Sequence, residues 1–84
     1  MARAVLIARL SRRKKSAVSV QKVLTQHGCL IRTRLGIHAG AGDRCADDGL
    51  IILELVGAAG KMKELAGCLS RLPGVSVTLV PVRQ

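Results

Sequence analysis

The spacing of apolar and polar positions changes repeatedly along the chain, and each change marks an element. Ala4 to Leu10 is a short run rich in branched aliphatic residues, which predicts a strand ending at the polar, basic stretch Ser11 to Ser16. Ala17, Val20, Leu24 and His27 then recur at three and four residues, the spacing of one helical face. Ser11 and Ser16 are its candidate caps and Gly28 its stop. From Cys29 to His38 the period drops to two. Ile31, Thr33, Leu35 and Ile37 alternate with Arg32, Arg34, Gly36 and His38, which predicts a strand with the first set turned to the core. Ala39 to Asp48 is small, polar and aperiodic, the pattern of a connecting loop. Gly49 to Gly57 is apolar on nearly both faces and predicts a strand buried on both. Ala58 to Leu72 returns to helical spacing, with Met62, Leu65, Leu69 and Leu72 on one stripe, until Pro73-Gly74 breaks it. Val75 to Val82 alternates once more, and Pro81 suits a strand end or a sheet edge.

Strand, helix, strand, strand, helix, strand, joined by right-handed crossovers, gives an α+β, ferredoxin-like βαββαβ domain. It has a four-stranded antiparallel sheet with both helices on one face. Two helices cover only one side of such a sheet. Leu50, Ile52, Val56, Val80 and Val82 fall on the other, and an apolar patch of that kind marks an interface. The expected partner is a second copy of the chain, packed sheet to sheet in a dimer or tetramer.

Length and composition narrow the function. Eighty-four residues make one domain, 1–84, too small for a multi-domain enzyme. Aromatic residues are 0% of the chain, so it cannot stack bases as single-strand nucleic-acid modules do. No apolar run approaches the roughly 18 to 20 residues needed to span a bilayer, and Met1 to Leu10 is too short and too basic for a signal peptide, so a cytoplasmic location is expected. Cys29, Cys45 and Cys68 form no CxxC pair, which argues against both a disulfide framework and a thiolate zinc site. A copper chaperone would carry such a pair after the first strand, where this chain has Ser11 to Lys14. The two histidines make no catalytic pair with a placed nucleophile, and no enzymatic role is expected.

The strongest motifs are Arg34-Leu35-Gly36-Ile37-His38, Gly49 to Leu53, and the run Leu65-Ala66-Gly67-Cys68-Leu69-Ser70-Arg71-Leu72-Pro73-Gly74-Val75-Ser76-Val77. Together they resemble the iron-only hydrogenase system regulators, small ACT-like proteins that read R-x-G-[IL] in the second strand and L-x-G-x-L-x-x-[IL]-P-G-V-x-V from the second helix into the last strand. The resemblance spans nearly the whole chain. It implies an ACT-like fold, a dimer or tetramer, and a regulatory role. The architecture is also similar to the C-terminal domain of nickel-responsive regulators, whose second strand carries H-x-H and whose third opens on a cysteine. Carried over by position, those ligands fall on Gly36, His38 and Gly49, so His38 alone remains as a candidate metal ligand. The DNA-gripping arm of those regulators is missing, which makes sequence-specific DNA binding unexpected.

Charge adds a second line. Fourteen Lys and Arg against five Asp and Glu leave a formal +9, densest at Arg12-Arg13-Lys14-Lys15. Cations at a helix start oppose its dipole, so this placement points weakly to an anionic partner. The ACT-like resemblance puts the loop after the first strand near a neighbouring subunit and an effector site. Arg9, Ser11, Arg12 and Arg34 would then supply donors to a small carboxylate or phosphate, with Gly36 leaving room for it. Two functions follow. One is a homo-oligomeric regulatory domain that senses a small ligand and acts through a protein partner. The alternative is a basic accessory protein that grips nucleic-acid phosphates without reading bases. Gly67, inside the second predicted helix, is expected to permit close packing of helix on sheet.

Overall fold

Alternation along the first strand decides the architecture. In the computed structural model, which describes residues 1–11, 13–38 and 49–82 and their side chains other than 13–15, 37 and 38, strand β1 (Ala2–Leu10) buries Ala4, Leu6, Ala8 and Leu10. Its arginines, Arg3 and Arg9, share the opposite face with Val5 and Ile7. Helix α1 (Arg13–Gln26) and a 3-10 turn (Gly28–Leu30) follow. Then come β2 (Ile31–His38), β3 (Gly49–Gly57), α2 (Ala59–Ser70) and β4 (Val75–Pro81). The sheet order is β2-β3-β1-β4, with every neighbouring pair antiparallel. This is the expected α+β, ferredoxin-like arrangement.

Both helices pack on one face of the sheet. Val20 and Leu24 of α1 and Met62, Leu65 and Leu69 of α2 join Leu6, Leu53 and Leu55 in a single core. That core is built mainly on leucine and alanine, with Val20 and Val75 its only buried β-branched residues among those described. The β-branched residues Val5, Ile7, Ile52, Val56 and Val80 alternate to the other face. Ala4 and Ala8, both buried, keep the central strand low beneath the helices.

Local chemistry sets the element ends. Leu72 and Val75 close the turn after α2 through Leu72 N–H to the Leu69 carbonyl and Val75 N–H to the Leu72 carbonyl, and Gly74 takes a positive φ of 77° that a side chain would resist. The Ser11 amide and hydroxyl both donate to the Gly74 carbonyl, at 2.8 and 3.2 Å, tying the exit of β1 to that turn. Ser11 is thus turned away from the start of α1, and Ser16 lies buried inside the helix. At the other end of α1, His27 Nδ1–H donates to the Val23 carbonyl at 2.9 Å, which accounts for this histidine as a helix closure.

One strand departs from the sequence pattern. The register of β2 on β3 slips between Ile31, opposite Leu55, and Thr33, opposite Glu54. This bulge spends one extra residue, so Ile31 packs on the core while Thr33 and Leu35 turn to the opposite face. Leu35 is 53% exposed. The expectation that Ile31, Thr33, Leu35 and Ile37 share a core face is therefore corrected: the alternation is intact, but the bulge inverts it. Within one chain, β3 is buried on one face. Leu53 and Leu55 are buried, whereas Leu50, Ile52 and Val56 are half-buried because no helix covers their side.

Candidate functional site

The uncovered face of the sheet is an apolar surface that the helices leave open, and the strand register fixes its layout. Reading from β2 through β3 and β1 to β4, one row is Leu35, Ile52, Ile7 and Thr78. The next is Thr33, Glu54, Val5 and Val80. Beyond the first lie Leu50, Arg9 and Ser76. Beyond the second lie Val56 and Arg3, with Val82 beside Arg3 through a Val82 N–H to Arg3 carbonyl bond of 2.8 Å. The expected interface residues Leu50, Ile52, Val56, Val80 and Val82 all stand on this face. Val5, Ile7 and Leu35 belong with them. The first two were legible from Arg3 and Arg9, which share their parity, but Leu35 was hidden by the bulge.

A small polar network interrupts the apolar surface. Thr33 Oγ1 donates to Glu54 Oε1 at 2.9 Å, and Arg3 Nε lies 4.0 Å from Glu54 Oε2. Arg3 Nε is shielded from solvent and has no hydrogen-bond partner among the described residues. Arg9 stands apart from this network at the other end of the face, exposed.

The residues expected to hold an anion are not gathered within one chain. Arg9 lies on the open face of β1, whereas Arg34 registers with buried Leu53 and so takes the helix side of edge strand β2. Strand β3 lies between them. Ser11 has its hydroxyl proton committed to Gly74. Gly36 is exposed, on the same side as Arg34, with open space where a Cβ would sit. Arg12 and Cys45 lie outside the described residues. His38 closes β2 opposite Gly49, and its side chain is likewise not described. The positions corresponding to a nickel site of the regulator type are thus two glycines and one histidine, a set that does not fit the metal. Among the described residues no group of three His, Cys, Asp or Glu converges.

The expected role of Gly67 is also corrected. A Cβ there would meet only an Arg71 Nη at 4.0 Å, so no close helix-to-sheet approach requires the glycine. Among the described residues Glu54 and Glu64 are the only acids. Each already has a cation beside it, Glu54 with Arg3 and Glu64 with Lys61 at 3.6 Å. Arg9, Lys22, Arg32, Arg34, Lys63 and Arg71 have no acidic partner among the described residues.

No protein-family profile matches the chain, and no curated protein matches it significantly. Solved structures do. The uncharacterized protein TM1266 from Thermotoga maritima aligns over 96% of both chains at 23% identity with a TM-score of 0.83. The C-terminal domain of the MgtC protein from Mycobacterium tuberculosis aligns over 98% of this chain and 88% of its own at 17% identity, TM-score 0.70. A functionally unknown protein from Pediococcus pentosaceus aligns over 100% and 95% at 17%, TM-score 0.64. At these identities the likeness establishes the fold, which is shared along nearly the full length of each of these small proteins.

Proposed function

We propose that this chain is a homo-oligomeric, ACT-like regulatory domain without enzymatic activity. In this reading it senses a small anionic ligand and acts through a protein partner, as the resemblance to iron-only hydrogenase system regulators implies. One observation carries it: the sheet has a second apolar face, with Leu35 at 53% exposure and Val80 at 43%, that the chain's own helices leave bare. A domain this small gains the most stability by burying such a face in self-association.

Two measurements test the reading. Light scattering should give a mass of at least two chains. A thermal-shift screen across amino acids, nucleotides and small carboxylates should find a ligand that raises the melting temperature, since a ligand of the native state stabilises by mass action. A monomer, or a screen with no shift, would count against it.

A second reading rests on the described cations that lack an acidic partner. A basic accessory protein binding nucleic-acid phosphates would show duplex affinity at 50 mM salt falling by about 10³ or more at 200 mM if roughly six phosphates are contacted. Absence of binding at low salt removes that reading.

A further inference from the structure

A sheet of this kind has two edges, and its hydrogen-bond parity can be followed from strand to strand. Ser11 N–H donates to the Gly74 carbonyl and Val82 N–H to the Arg3 carbonyl, so the odd residues of β1 turn their backbone groups to β4. The even residues of β1 therefore bond their β3 partners, Gly57, Leu55, Leu53, Ile51 and Gly49, which leaves Leu50, Ile52 and Glu54 to bond β2. Their β2 partners are Ile37, Leu35 and Thr33. The backbone N–H and C=O of Arg34, Gly36 and His38 consequently point out of the sheet, at an edge where no strand lies beyond β2 among the described residues.

The two edges are not alike. On β4 the outward groups belong to Val75, Val77, Leu79 and Pro81, but the Val75 N–H is bonded to the Leu72 carbonyl and a proline has none. That edge also carries no charge. On β2 each outward residue has an N–H, and Arg32 to Gly36 are exposed. Neither Arg32 nor Arg34 has an acid within ion-pair distance among the described residues.

We infer that the free edge of β2 docks an extended acidic segment of a partner protein, added to the sheet as a further antiparallel strand. The occupant follows from charge. A second copy would lay a cationic edge along a cationic edge, which cross-strand repulsion opposes. A carboxylate opposite Arg34 instead gains a charge-assisted hydrogen bond. The antiparallel sense is the more stable one per residue. The inference rests on the regulatory reading above, whose protein partner it gives a chemistry, and it leaves the uncovered sheet face to the second copy.

Register dictates what the segment carries. Arg34 and Gly36 stand opposite Leu53 and Ile51, which pack on the helix side, so their side-chain positions lie on that side too. Gly36 has open space where a Cβ would sit, and Ile51 beside it is only half-buried. An apolar side chain opposite Gly36 therefore lies across the glycine onto Ile51. The next residue of the segment faces exposed Leu35 on the open side and gains by being apolar as well. The one after it faces Arg34 and is Asp or Glu. Read from its N-terminus the segment is apolar, apolar, acidic. Backbone bonds supply its affinity and these alternate side chains its selection.

Fluorescence anisotropy with a short labelled peptide, carrying Ile-Val-Glu among threonines, tests the docking. At physiological salt the wild-type chain should bind it saturably, and lysine in place of the peptide's glutamate should weaken binding about tenfold or more. Arg34→Glu should lose the acidic peptide by a similar factor and bind the lysine peptide better than the wild type does. The backbone is tested separately. N-methylation of the peptide residue opposite Gly36 removes an N–H that the pairing uses and should weaken binding about tenfold or more. N-methylation of the next residue, whose N–H points away from β2, should change it by less than about threefold. Gly36→Pro removes the matching donor from the protein without touching the ladder to β3, and should act like the first methylation. The methylated peptides keep the test decisive if that variant fails to fold. Binding that follows charge but ignores methylation at either position is adsorption to a basic surface and overturns the inference. Loss on methylation with none in Gly36→Pro puts the added strand elsewhere and overturns it too, as does no saturation up to about 1 mM peptide. Each of these results leaves the homo-oligomer to its own test by light scattering, so the two failures are told apart.

Discussion

At the scale of single residues, glycines separate the strained positions from the unconstrained ones. Gly67 sits mid-helix with room for a side chain, so Gly67→Ala is expected to stabilise the fold by about 0.5 to 1 kcal/mol, read as a higher midpoint in urea unfolding. No change, or a loss, would mean that the helix needs the glycine for a reason outside its own packing. Gly57 is the opposite case. Its φ is 150°, and a Cβ there would fall 2.8 Å from Leu30 Cδ2. Gly57→Ala should therefore cost about 1 to 3 kcal/mol, visible as a lower melting temperature. Thr33 makes a different point. Thr33→Val keeps the shape and the β-branching and removes one exposed hydrogen bond to Glu54, so a loss of about 0.5 to 1 kcal/mol is expected.

At the scale of elements, α2 shows how directly a stripe becomes a packing face. Met62, Leu65 and Leu69 are all buried as their spacing predicts, and Leu65→Ala should cost about 2 to 5 kcal/mol in chemical denaturation. The order of elements and the sheet topology were legible for the same reason, since each element keeps one clean period bounded by Gly, Pro or a basic stretch. Strand β2 was legible only in part. A bulge leaves no mark in a binary pattern: Arg32 to Ile37 alternates perfectly, and nothing in those residues tells which set faces inward. Tertiary pairing with β3 decides it. The candidate anion set failed to assemble for a related cause. Arg9 and Arg34 lie on strands that are not neighbours, and their relative faces depend on that same bulge. The placement of Leu50, Ile52, Val56 and Val80 on the uncovered face was legible, because their parity follows directly from the inward-facing residues beside them.

For the whole molecule, the two sides of the sheet have opposite characters. One side is closed by helices over a leucine and alanine core. The other carries β-branched side chains, the Arg3–Glu54 ion pair and exposed Leu35, Val80 and Val82. Among the described residues no helix is long and apolar enough to cross a membrane. In the proposed reading a second copy covers this face, and association should be driven by apolar burial. Association should accordingly survive added salt better than a purely electrostatic contact would. Sedimentation measured at 50 and 500 mM salt should give the same oligomer at both, and dissociation at the higher salt would mean that charged contacts hold the assembly together.

The most direct measurement is sedimentation equilibrium on the wild-type chain beside Ile7→Glu, which places a charge at the centre of the open face while leaving the helix-side core untouched. The expected result is a dimer or larger assembly for the wild type and a folded monomer, with unchanged far-ultraviolet circular dichroism, for the variant. A wild-type monomer at concentrations up to hundreds of micromolar, or a variant that assembles as well as the wild type, would contradict the claim that this face is where the protein meets itself.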